Sequence, residues 1–113
     1  MVYQLEDSLD FPILKLSGNL TQETESKSLI SYVTDYILPK SNKFIIDLKD
    51  LQFLNSSGLG ALITILTKAR KENGEVVIVN VNEQIQKLLI MTKLNTVFTV
   101  AESHTAAFEN LKS

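Results

Sequence analysis

"KFIIDLKDLQFLNSSGLGALITILTKARKENGEVVIV", residues 43–79, reads as strand, helix and strand in succession. "KFIIDL" (43–48) and "VVIV" (76–79) are nearly continuous apolar runs. A half-solvated strand would alternate apolar with polar residues, so such runs suit parallel strands covered on both faces. Between them, Leu59, Leu62, Ile63, Leu66 and Ala69 recur at helical spacing in a helix expected from about Ser57 to Glu72. Asn73-Gly74 is a left-handed stop signal, and Lys68, Arg70 and Lys71 complement the helix C-terminus. The outward side of this helix, Gly60, Ala61, Thr64 and Thr67, is small enough to leave room for a partner.

Towards the N-terminus, "VYQLE" and "FPILKLSG" read as an antiparallel hairpin joined through "DSLD". Pro12 has no N–H for the ladder, so it belongs at a strand start or facing an edge. Gly18 and Asn19 end the second strand. Thr21 caps a helix expected over about 22–38, with Leu29, Ile30, Val33, Tyr36 and Ile37 on one face and Pro39 as its stop. Towards the C-terminus, a helix over about 83–92 turns Ile85, Leu88 and Leu89 inward. At 100° per residue Ile90 points about 140° away from Ile85, so it is expected to be partly exposed. "TVFTV" (96–100) is the fifth strand, and "SHTAAFENLK" is a last helix capped by Ser103.

The order β-β-α-β-α-β-α-β-α predicts an α/β fold, a mostly parallel central sheet with an N-terminal antiparallel hairpin. The 113 residues are expected to form a single domain, 1–113. A formal net charge of −2 argues against direct nucleic-acid binding, which needs an excess of Lys and Arg. No apolar run approaches the roughly 20 residues that span a bilayer, and the acidic start lacks a signal-peptide core. The expectation is a cytoplasmic protein without membrane insertion.

In open α/β sheets, ligands and partners meet the loops at the carboxyl ends of the strands. Three loops qualify: "SGNLTQE", "DLQFLNSSG" and "NVNEQ". None carries recognisable catalytic chemistry. Gly58-Leu59-Gly60 lacks the lysine and the length of a P-loop, and no G-x-S-x-G nucleophile elbow is present. The single histidine, His104, lies beside a helix cap and reads as a surface residue. Asp47 and Asp50 have no evident acid partner, and Asp7, Asp10, Asp35, Asp47 and Asp50 show no metal-ligand spacing. No catalytic residue, metal or cofactor is expected. What remains is Asn55-Ser56-Ser57. A helix cap needs one such side chain, worth about 1 kcal/mol; three in a row suggest a serine presented for modification.

The stretch from Ile45 to Phe98 resembles a STAS domain of the kind found in bacterial anti-sigma factor antagonists, and the likeness extends over almost the whole chain. Its marks are Asp47-Leu48 at a strand end, the loop Phe53-Leu54-Asn55-Ser56-Ser57-Gly58-Leu59-Gly60, the helix end Lys71-Glu72-Asn73-Gly74, and the apolar helix Ile85 to Leu94. The resemblance implies a non-enzymatic partner-switching module. Unmodified, it binds an anti-sigma factor that is also a serine kinase. That kinase phosphorylates Ser56, the modified chain lets go, and a metal-dependent serine phosphatase resets it. Asn55, Ser57, Gly58, Leu59, Gly60, Ala61, Thr64, Thr67 and Thr21 would then belong to the docking surface. Asn55 and Thr21 stand where the family favours acidic residues. STAS domains also serve as structural components of transport and lipid-trafficking complexes, the alternative reading.

Overall fold

The computed structural model describes residues 2–6 and 10–112. Most of the expected hairpin turn, Asp7 to Leu9, lies outside the described residues. Five strands form one sheet in the order β1-β2-β3-β4-β5: β1 Val2–Glu6, β2 Ile13–Leu20, β3 Lys43–Leu54, β4 Glu75–Val79 and β5 Thr99–Ala101. β1 runs antiparallel to β2, and every other neighbouring pair is parallel. Phe44–Leu48 therefore lies on the central strand, as its apolar run requires.

Four helices cover the sheet: α1 Glu23–Tyr32, α2 Ser56–Lys71, α3 Glu83–Met91 and α4 His104–Lys112. The two-residue period of β3 sorts its side chains between two cores. Phe44, Ile46 and Leu48 join the larger core with Leu29 and Val33, with Leu62 and Ile65 of α2, and with Ile85 and Leu89 of α3. Ile45 points the other way, where it meets Val77, Val79 and the Ala107 and Leu111 side chains of α4. Pro12 immediately precedes β2, and its carbonyl accepts from the Ile45 N–H at 3.0 Å. Ser103 caps α4 by accepting from the Ala106 N–H at 3.1 Å.

The structure corrects several boundaries. β3 is 12 residues long and continues to Leu54, so Asp50 to Leu54, read from sequence as loop, is strand. β2 likewise runs through Gly18 and Asn19 to Leu20. The two extend together, pairing Ser17 with Asp50 and Leu20 with Leu54, across two register shifts. Gly18, at φ 83°, is the flexible point of this irregular ribbon rather than its end. Lys49, Asp50 and Gln52 are exposed there and interrupt the apolar run, which is why the signal fades before the strand does.

α1 starts one residue later than expected. Gln22 is at the N-cap position without a side-chain cap bond, so Thr21 does not cap this helix. Its last part, Val33–Ile37, is a π-helical turn closed by the Leu38 N–H on the Val33 carbonyl. Val33 and Ile37 stay buried while Tyr36 turns outward, 59% exposed, against the Tyr32 ring. α2 begins at Ser56 rather than Ser57. Its stop uses Asn73 as the left-handed residue, at φ 62°. Gly74 is needed for close approach, since a Cβ there would lie 1.8 Å from the Asn42 carbonyl oxygen. β5 is only three residues long, because a 3-10 turn at Leu94–Thr96 precedes it and Phe98 drops into the larger core.

Candidate functional site

The site is built where β3 runs directly into α2. Asn55 has an extended backbone and its Oδ1 accepts from the Gly58 N–H at 3.0 Å, the geometry of an N-cap. Its Nδ2 donates to the Thr21 carbonyl at 2.8 Å. An aspartate could make the first bond but not the second, because a carboxylate has no proton to donate. Asn55 and Thr21 are thus tied to each other, and the link fastens the β2–α1 turn to the start of α2.

Ser56 is the first residue of α2 and is exposed. Its hydroxyl makes no hydrogen bond to any described residue. It stands at the positive end of the helix dipole, where added negative charge is tolerated. Ser57 is half-buried and turned towards α1, with its Oγ 3.4 Å from the Oγ of Ser26.

The residues expected to form a docking surface divide by orientation. Thr21, Asn55 and Thr67 are exposed, and Gly60 and Thr64 are half-buried on the same helix. Gly58, Leu59 and Ala61 face inward, with Leu59 and Ala61 only 4% and 2% exposed. Ala61 therefore does not belong to the outward side of α2; Ala61 and Ile65 take the interior while Ile63 is half-buried. The absent side chain of Gly58 serves internal packing: a Cβ would sit 2.3 Å from the Leu20 carbonyl oxygen and 2.6 Å from Leu54 Cδ1. Gly60 is different: outside its own helical turn, no heavy atom lies within 4 Å of the same position.

Several large apolar side chains are also exposed. Phe53 and Ile90 are each 53% exposed and Met91 is 81% exposed. Ile90 thus points outward, as its helical phase requires. Phe53, Leu54, Leu88 and Met91 line a shallow groove between the C-terminal part of β3 and α3. Asn82 holds α3 in place: it caps the Ile85 N–H at 2.8 Å and donates to the Leu51 carbonyl at 3.0 Å. The sequence motif included Phe53, but nothing local indicates that Met91 lies beside it.

His104 is not a free surface residue. Its Nε2 is 2.8 Å from Asp47 Oδ2, and the other carboxylate oxygen accepts from the Lys49 N–H at 2.9 Å and from Asn80 Nδ2 at 3.0 Å. Burial pushes the Asp47 carboxyl upward, but the hydrogen bonds from Asn80, the Lys49 N–H and His104 outweigh it and hold it below the usual carboxylate range. Asp47 lies on the α4 side of the sheet, so this cluster links α4 to β3 and β4. Among the described residues, no group of three or more His, Cys, Asp or Glu side chains could hold a metal ion. No described helix is long and apolar enough to cross a membrane.

Comparison with known proteins gives the same picture. The STAS domain model matches residues 3–107. An anti-sigma F factor antagonist from Paenibacillus polymyxa is 26% identical over 88% of this chain and 86% of its own length. An anti-sigma factor antagonist from Mycobacterium paratuberculosis superposes with a TM-score of 0.84 at 20% identity, covering 99% of this chain and 94% of that one. The Bacillus protein SpoIIAA has been solved unphosphorylated, with a TM-score of 0.81 at 18% identity over 98% of this chain and 96% of that one. It has also been solved phosphorylated, with a TM-score of 0.67 at 19% identity over 96% and 98%. At these identities the structural likeness is one of fold.

Proposed function

This chain belongs to the STAS domain family, and from that premise we propose that it is an anti-sigma factor antagonist that switches partners by phosphorylation of Ser56. The observation that carries the proposal is the Ser56 hydroxyl: exposed, unbonded within the described residues, and held at a helix start that accepts negative charge. The Paenibacillus relative bears the antagonist name, and SpoIIAA exists in unphosphorylated and phosphorylated forms. Both agree with a phosphorylation switch.

In this reading the protein is not an enzyme and needs no cofactor. The unmodified chain docks an anti-sigma factor serine kinase with the exposed part of α2, Asn55 and the β2–α1 turn at Thr21. The kinase transfers the terminal phosphoryl group of ATP to Ser56 Oγ, which loses its proton. The phosphoserine carries about −1.5 to −2 charges and is accommodated in the free protein but not in a packed, partly desolvated interface. A metal-dependent serine phosphatase restores the hydroxyl. The domain is cytoplasmic and makes no direct contact with nucleic acid.

Incubation with the serine-kinase anti-sigma factor and ATP, followed by intact mass and phosphopeptide mapping, tests the proposal. One phosphate on Ser56 is expected. No phosphate with an authentic partner kinase present would overturn the switch in favour of a structural role in a transport or lipid-trafficking complex.

Gly60 separates docking from stability. Its Cβ position is open, so Gly60→Ala should stabilise the isolated domain by about 0.5–1 kcal/mol through helix propensity. The same methyl group stands on the docking face and should weaken kinase binding. Thermal unfolding and calorimetric titration read the two effects, and unchanged binding would remove Gly60 from the interface.

A further inference from the structure

We propose that Ser26 biases which of the two adjacent serines is modified, by holding the Ser57 hydroxyl inward. The inference rests on the phosphorylation reading above. Ser26 lies in α1 and is only 5% exposed; with Asp47 it is one of two buried polar residues among those described. An alanine would fill the same place, so the hydroxyl calls for a partner. That partner is Ser57: the Ser26 Oγ lies 3.4 Å from the Ser57 carbonyl oxygen and 3.4 Å from the Ser57 Oγ.

One arrangement of protons satisfies both contacts. Ser26 donates to the Ser57 carbonyl, and the Ser57 hydroxyl donates to Ser26 Oγ. The Ser57 proton then points into the α1–α2 contact and away from the exposed face that carries Ser56. Successive residues of a helix are turned by about 100°, so Ser56 faces a different direction and its hydroxyl remains exposed. Both contacts are long, against roughly 2.7–2.8 Å for a typical O–H···O bond. Ser26 therefore biases the choice and does not impose it absolutely.

The readout is the position of the phosphate. In the wild type, kinase treatment should place phosphate on Ser56. In Ser26→Ala the Ser57 hydroxyl is released, and the ratio of Ser57 to Ser56 phosphopeptides should rise roughly two- to tenfold, the equivalent of one modest hydrogen bond. Ser26→Cys keeps the side-chain shape at a slightly larger volume while weakening the bond. It should shift the ratio in the same direction and serves as the second variant if the alanine protein folds poorly. Loss of packing alone would slow modification of both serines without changing their ratio.

A raised ratio in either folded variant supports the proposal. Phosphate on Ser56 with an unchanged ratio in both variants overturns it while leaving the switch intact. No phosphate on the wild type overturns the switch, and this inference with it.

Discussion

Phosphorylated at Ser56, the protein should bind its anti-sigma partner at least about 100-fold more weakly than the unmodified chain, because several kcal/mol of uncompensated charge burial corresponds to two or more decades in affinity. Ser56→Asp should fall between the two, since it brings one charge where the phosphate brings about two. Ser56→Ala should bind normally and resist modification. None of these changes should unfold the domain. Ser56 is exposed at the first position of α2, and an acidic residue in a first helical turn is neutral to mildly stabilising, within about 1 kcal/mol. Calorimetric titration of the three proteins and the phosphoprotein, with thermal unfolding as control, reads both quantities. Equal affinity of the phosphorylated and unmodified chains would sink the switching mechanism whatever the site of phosphorylation.

Asp47→Ala should be the most destabilising single change at a polar position, costing on the order of 3 kcal/mol near neutral pH. The substitution leaves the Lys49 N–H, the Asn80 amide and His104 without their shared acceptor. That loss is a large part of the roughly 5–15 kcal/mol by which small domains are stable. Its pH dependence has a definite sign. The folded carboxyl titrates below the ordinary aspartate value of about 3.9. Its ionised form therefore stabilises the fold above that value, and this contribution is lost as pH falls through the depressed folded pKa. Urea unfolding should show a wide gap between wild type and variant at neutral pH that narrows in acid below about pH 4. Asp47→Asn keeps an acceptor oxygen but not the charge, so it should cost less and flatten the acid limb. A gap constant across that range would mean that the carboxylate charge is not what holds α4 to the sheet.

Much of this molecule follows from short-range patterns. The apolar runs at 44–46 and 76–79 are strands covered on both faces because each residue of a strand points to the opposite side from the last, and neither side of these is polar. The spacing of Leu59, Leu62, Leu66 and Ala69 describes the buried stripe of α2 because helical phase repeats every 3.6 residues. The Asn-Ser-Ser run marks the helix start because those side chains can replace the missing backbone partners there. For the same reason Ser103 is legible as a cap, while Ile90 is legible as outward-facing from helical phase.

Other features have no local signature. β2 and β3 extend past their apolar runs because each supplies hydrogen-bond partners to the other, and an exposed ladder can be maintained with polar side chains. Tyr36 leaves the expected face because a π-turn changes the helical phase at Val33. Gly58 and Gly60 read alike in sequence; the carbonyl of Leu20 occupies the space beside one, and nothing occupies the space beside the other. By itself the sequence determined the order of strands and helices, the central strand pair and the serine-bearing helix start, all set by residues within a turn or two of one another. Only the tertiary structure decided that His104 clasps Asp47 across 57 residues, and that Ser57 faces Ser26 across 31 while Ser56 faces outward. The physical reason is that a side chain's hydrogen-bond partner is fixed by how the helices pack on the sheet, and packing brings together residues whose separation along the chain carries no periodic signal.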